Sequence, residues 1–194
     1  MKIPLIKSLL LIVALAVAES STAEEYMQPI VDEDMRQALR EAMYEDYGFE
    51  DHIAAQVWLM DMSYRLRKTI PDDEYRLQLL KTIHAEAVRA ELQPELVLSV
   101  NQVESNFDRF AISSAGARGL MQVMPFWIKE IGHPEDNLFI PQVNLRYGTT
   151  ILKYYLDMEN GQLDRALARY NGSIGKNRYP RLVFSALRNK WFEQ

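Results

Sequence analysis

The sequence predicts a mainly helical protein. Three observations carry that expectation: apolar residues recur at helical spacing, capping residues punctuate those runs, and strand signals are scarce. One glycine-studded loop, from Ala111 to Pro125, interrupts the pattern.

The elements follow in order. Lys2 and Lys7 accompany an apolar run from Leu9 to Ala18, short for a bilayer span, with small-residue cleavage sites at Ala16-Val-Ala18 and Ser21-Thr-Ala23. This pattern predicts a secretory signal peptide over residues 1–23 rather than a retained anchor. No later stretch is long and apolar enough to predict a transmembrane segment in the mature chain. Residues 24–75 read as an N-terminal helical extension. Asp34 is a cap before Met35, Leu39 and Met43, and Gly48 closes that helix. Asp51 opens the next, with Ile53, Val57, Met60 and Tyr64 on one apolar face. Pro71, Asp72 and Asp73 open a third, carrying Leu77, Leu80, Ile83 and Ala87. The Met and aromatic stripe of these helices is expected to be core, not a ligand-binding box. No Pro/Gly/Ser linker separates the extension from residues 76–194, so packing against them is expected. A docking surface for an unidentified protein is the alternative.

The next helix starts at Pro94, where the missing N–H costs nothing. Leu96, Val97, Val100 and Val103 mark its buried face. Glu104 lies four residues past Val100 and seven past Val97, so it projects from that apolar side. It also falls near the helix C-terminus, where the macrodipole disfavours negative charge. Burial and dipole both favour the neutral acid and raise its pKa, as a proton donor near neutral pH requires. The other reading is a rim glutamate reaching solvent from a frayed helix end. In the loop that follows, Gly116 and Gly119 permit positive φ and close backbone approach. Further on, Ala166 to Tyr170 can end a helix, with Gly172 as its left-handed cap.

Composition excludes several function classes. The 194 residues contain no cysteine, which removes disulfides, thiolate metal sites and a cysteine nucleophile. His52, His84 and His133 are isolated and show no ligand spacing, so no metal is expected. There is no Gly-x-Ser-x-Gly elbow, and Gly172 to Lys176 has the wrong spacing for a phosphate loop. The net charge of −5 is uneven: residues 24–75 are acidic, and Arg165, Arg169, Lys176, Arg178, Arg181, Arg188 and Lys190 make the C-terminal end basic. No nucleic-acid signature accompanies that basic end, so no nucleic-acid partner is expected.

Four ordered motifs carry a family resemblance: Glu104-Ser105, the run Ser113 to Gln122 (Ser-x-x-Gly-Ala-x-Gly-Leu-Met-Gln), the segment Asn144 to Gly148, and Tyr170-Asn171-Gly172, with Tyr179 to Val183 beyond. From about residue 80 to 185 the chain resembles the soluble-type, lysozyme-like lytic transglycosylases. The resemblance implies a lysozyme-like (α+β) catalytic domain over 76–194, with a minor β region between about Phe107 and Met121. It also implies cleavage of the β-1,4 bond between N-acetylmuramic acid and N-acetylglucosamine in periplasmic peptidoglycan, without a cofactor. The muramoyl 6-hydroxyl attacks its own C1 and leaves a 1,6-anhydro end.

By motif position Glu104 is the catalytic acid and base. Ser113 resembles the serine that hydrogen-bonds near the acid and the acetamido group, and Gln122 and Met124 resemble groove residues. Tyr170 resembles the tyrosine that positions the glutamate. Ser105 and Asn171 are supporting residues, and Tyr179 is a groove wall or a core tyrosine. Arg169 stands where many members carry a small residue, which bears on the groove beside Tyr170. Two-carboxylate glycosidases need a second acid, and Asp108 is the nearest, though Asn106 and Phe107 interrupt the helix and favour Asp108 as a turn cap. A water-using hydrolase of lysozyme type and a non-catalytic peptidoglycan-binding or scaffold protein are the rival readings.

Overall fold

A computed structural model describes residues 52–192, with side chains from residue 57 onward. The signal segment, the helix expected from Asp34 and the Ile53 side chain lie outside the described residues. Helices are α1 (His52–Leu66), α2 (Asp73–Arg89), α3 (Pro94–Ser105), α4 (Phe126–Ile131), α5 (Pro141–Met158), α6 (Leu163–Tyr170) and α7 (Arg178–Ala186), followed by a π-helical turn, Leu187–Trp191. Two isolated antiparallel bridges, Ile112 to Arg118 and Arg118 to Val123, are the β structure among the described residues. They lie in the loop where the minor β region is expected.

Local chemistry sets the helix ends. The Asp72 carboxylate accepts the Tyr75 N–H at 2.9 Å and caps α2. Pro94 and Pro141 occupy the first positions of α3 and α5, where no N–H is needed. Gly172, at φ 69°, reverses the chain after α6, and the Ser173 N–H reaches the Ala168 carbonyl at 2.7 Å.

Helices α2, α5, α6, α7 and α3 contact one another in a closed ring, and α1 packs on α2. One core runs through all of them, from Met62 and Leu66 of α1 to Trp191. The apolar face expected on α1 is corrected by the structure. Val57, Met60 and Tyr64 are exposed by 62%, 76% and 65%, while Met62 and Leu66 are buried and Trp58 and Leu59 lie against the core. Both faces of α1 are apolar, so periodicity alone does not choose between them. On α2, Leu77 is also outward and Leu79 takes its place beside Leu80, Ile83 and Ala87.

Buried charge ties α2 to α5. Glu86 pairs with Arg89 at 2.7 Å and with Arg146 at 2.9 Å, and Arg89 also donates to the Thr149 and Thr150 hydroxyls. A buried carboxylate paired in this way avoids the penalty of an isolated one.

The loop between α3 and α4 is fastened to α5. The Asn144 carbonyl oxygen accepts the Met121 N–H at 2.8 Å, and its amide donates to the Arg118 and Leu138 carbonyls at 2.8 and 2.9 Å. Gly119 sits at φ 74°, and a Cβ there would collide with the Asn144 amide and the Leu138 carbonyl. A Cβ on Gly148 would collide with the Met121 side chain. Gly119→Ala combines left-handed strain with overlap against a fixed amide and should cost about 2–4 kcal/mol in urea unfolding. Met60→Gln on the exposed face of α1 should change stability by less than ~0.5 kcal/mol.

Candidate active site

Helix α3 ends one residue past Glu104. Asn106 and Phe107 follow in consecutive left-handed conformations, φ 48° and 66°, which swing the chain off the helix axis. Phe107 is thereby buried, with its ring 5.8 Å from that of Trp191. The turn removes Asp108 from the helix. Asp108 is exposed, and its carboxylate accepts the Phe110 N–H at 2.9 Å, so it serves the turn.

Glu104 is partly exposed, but its carboxyl is closely surrounded by protein. Burial pushes its pKa up to about 7 from an ordinary value of 4.5, and the Tyr179 hydroxyl facing it acts in the opposite sense by favouring the carboxylate. Tyr179 itself is buried.

Tyr170 lies near the same carboxyl, but its hydroxyl donates to the Met121 carbonyl at 2.8 Å. Burial, and then the charge of Glu104, hold that phenol protonated. Its hydrogen bond therefore fixes the loop beside the acid, while Tyr179 is the phenol that acts on the acid directly. Arg169 does not stand alone next to Tyr170, because its guanidinium is paired with the buried Glu159.

The other expected residues fall around the loop. The Ser105 hydroxyl bonds the Leu120 carbonyl at 2.8 Å, tying the end of α3 to the glycine-rich run. The Ser113 hydroxyl oxygen accepts the Ala117 N–H at 3.0 Å and closes the turn at Gly116. Gln122, at φ 49°, donates its amide to the Gly119 and Ala111 carbonyls at 3.0 and 3.2 Å. Met124 is half-buried against the core, and Asn171 ends α6 with its N–H on the Leu167 carbonyl at 3.1 Å. The structure thus gathers Glu104, Ser105, Tyr170 and Tyr179 around the loop from Leu120 to Gln122. It places Ser113 in the far turn of that loop and Asn171 behind Tyr170.

Sequence reasoning left Asn144 without a role. Its signal was a lone amide in the core-facing stripe of Tyr147, Ile151 and Tyr155, all buried with it.

Residues 81–191 match the Transglycosylase SLT domain. The chain belongs to that lytic transglycosylase family. It is 38% identical over 100 residues to the transglycosylase of Enterobacteria phage PRD1, across 52% of this chain and 37% of that one. It is 28% identical over 162 residues to the membrane-bound lytic murein transglycosylase C of Yersinia pestis (strain Pestoides F), across 74% of this chain and 45% of that one. The counterpart in Yersinia pseudotuberculosis serotype O:1b gives the same figures. The chain therefore spans less than half the length of these curated relatives. The family match begins within α2, so α1 precedes it.

Two outcomes follow from the acid's environment. Its folded pKa is raised, so the native state binds the extra proton between about pH 4.5 and 7. Stability from this group is full below its unfolded pKa and is lost as pH rises through about 7. Glu104→Gln removes that loss, so urea unfolding should show it more stable than the parent at pH 8, by at most about 3 kcal/mol, and the gap should shrink towards pH 5. Tyr179→Phe removes the group that favours the carboxylate, so carboxyl 13C NMR should find the Glu104 pKa higher than in the parent.

Proposed function

We propose that the chain is a peptidoglycan lytic transglycosylase that cuts the β-1,4 bond from N-acetylmuramic acid to N-acetylglucosamine and leaves 1,6-anhydromuramic ends, with Glu104 as its sole acid and base. The observation that carries this reading is a buried carboxyl with its pKa raised to about 7 by its surroundings, facing a tyrosine and, among the described residues, no carboxylate that shifts it.

Neutral Glu104 gives its proton to the glycosidic oxygen as the C1–O bond breaks. The positive charge at C1 is met by the sugar's own 2-acetamido oxygen, in the role a second carboxylate fills in two-carboxylate glycosidases. Glu104, now charged, takes the proton of the muramoyl 6-hydroxyl while O6 bonds to C1. The proton balance closes without water, and the acid is restored. Tyr179 contributes in the middle of this cycle, because its hydroxyl favours the carboxylate form. The hydrolase alternative needs a carboxylate to activate water, and Asp108 is engaged by the Phe110 N–H. The N-terminal export-type segment and the murein named for the Yersinia relatives support a periplasmic site of action.

Mass spectrometry of muropeptides released from peptidoglycan tests this reading. The parent protein should yield 1,6-anhydromuramic ends, and Glu104→Gln should lower the rate at least ~100-fold, the scale of a lost general acid–base group. Reducing ends would assign a hydrolase. Because the free enzyme must hold the proton, kcat/KM should fall as pH rises through about 7.

A further inference from the structure

The C-terminal end of the chain carries a cationic surface that glycan cleavage does not use. From Arg165 to Phe192 every charged residue is a lysine or an arginine, in a chain whose net charge is −5. These cations divide by their surroundings. Arg165 and Arg169 on α6 both pair with the buried carboxylate of Glu159, and the Lys190 ammonium lies over the Trp191 ring, 4.7 Å from its centroid. Arg178, Arg181 and Arg188 are exposed, and among the described ion pairs none involves them.

Helix α7 puts these arginines on one side. Its inward residues Tyr179, Pro180, Val183 and Leu187 are buried, and from there the Tyr179 hydroxyl meets Glu104. Arg178, Arg181 and Leu182 are spaced three and four residues apart on the helix, so they face outward together. Arg188 follows in the π-helical turn. Leu182 is exposed by 49%. Ile174, in the loop that enters the helix, and Phe192, just past its end, are exposed by 57% and 45%. Apolar side chains thus stand before, within and after a helix whose outward charge is all positive.

We propose that the outward face of α7 lies on an anionic phospholipid surface, with its guanidinium groups at the headgroup phosphates and its exposed apolar side chains in the interface. Helices that bind a bilayer in this way carry arginine on the polar side with leucine and phenylalanine beside it. The planar guanidinium fork matches phosphate oxygens with paired N–H donors. The apolar members decide between lipid and a dissolved polyanion such as the cell wall. A polyanion would draw on the arginines and leave Ile174, Leu182 and Phe192 in water, whereas a bilayer interface removes them from it. The proposal stands independently of the glycan-cleaving reading. It is also compatible with that reading, because α7 meets the acid by its opposite side and lipid contact leaves Tyr179 in place.

Sedimentation with vesicles tests it, using residues 24–194 so that the apolar run from Leu9 to Ala18 adds no partitioning of its own. The protein should pellet with phosphatidylcholine vesicles that contain phosphatidylglycerol and stay in solution with phosphatidylcholine alone. About 0.5 M NaCl should release it. Arg181→Gln and Arg188→Gln should each lower the partition coefficient about fivefold, the contribution of one basic residue near a charged bilayer. Leu182→Ser should lower it as well. Arg118→Gln removes the same charge from an exposed position on another surface and should change it less than ~twofold. Equal urea midpoints across the variants separate loss of binding from loss of fold. A parent that does not distinguish phosphatidylglycerol from phosphatidylcholine overturns the proposal. So does Leu182→Ser that binds as the parent does, or Arg118→Gln that weakens binding as much as Arg181→Gln. A parent that pellets with peptidoglycan sacculi through Arg181 and Arg188, but not with vesicles, would assign the face to cell-wall polymer and overturn it too.

Discussion

One buried amide holds the loop beside Glu104 in place. The run from Ser113 to Met124 has no sheet to order it, only two isolated bridges. Asn144 supplies what a ladder would have supplied, pairing the Met121 N–H and the Arg118 and Leu138 carbonyls from a fully buried position. Each of those backbone groups, left unpaired in the interior, would cost about 1–3 kcal/mol. Gly119 and Gly148 are the conditions for this arrangement, because each gives up a Cβ where loop and helix touch. From the loop so held, the Leu120 carbonyl reaches Ser105 on α3 and the Met121 carbonyl reaches Tyr170 on α6. The loop beside Glu104 is therefore held from a helix, α5, other than the one that carries the glutamate.

A contrast with two buried glutamates sets Glu104 apart. Glu86 is met by Arg89 and Arg146, and Glu159 by Arg165 and Arg169. Those carboxylates are paired with cations and hold helices together. The surroundings of Glu104 supply a tyrosine instead, and burial raises its pKa to about 7. A fold seeking only stability would provide a cation there or remove the charge. A carboxyl that is costly to ionise lowers stability at higher pH and holds its proton up to near neutrality.

Much of this was legible in the sequence where a single residue carries its own local rule. Pro94 at the start of α3, Asp72 as the cap of α2 and Gly172 at positive φ are short-range chemistry, and each stands where that chemistry places it. The turn role of Asp108 was legible for the same reason, since Asn106 and Phe107 interrupt the helix. Readings that needed tertiary partners fared differently. On α1 two apolar stripes compete, and only the arrival of α2 decides that Met62 and Leu66 go inward and Met60 and Tyr64 outward. The two tyrosines could not be ranked from spacing either. Tyr170 and Tyr179 both approach Glu104, but which hydroxyl meets the carboxyl depends on the loop claiming Tyr170 through the Met121 carbonyl.

The same loop changes how its motif should be understood. Ser113 accepts the Ala117 N–H, and Gln122 donates to two loop carbonyls, so both polar side chains are engaged by the loop's own backbone. Residues that resemble substrate contacts in sequence thus act first as folding instructions for a segment without regular structure. A loop stabilised internally keeps its backbone shape whatever stands at its exposed positions. Side chains that the loop displays without needing them for its shape are then free to vary. Arg118 meets that condition: its backbone is bound on both sides, to Val123 and to Asn144, while its guanidinium is left to solvent. Substitution there can alter the surface without disturbing the hydrogen bonds that hold the loop.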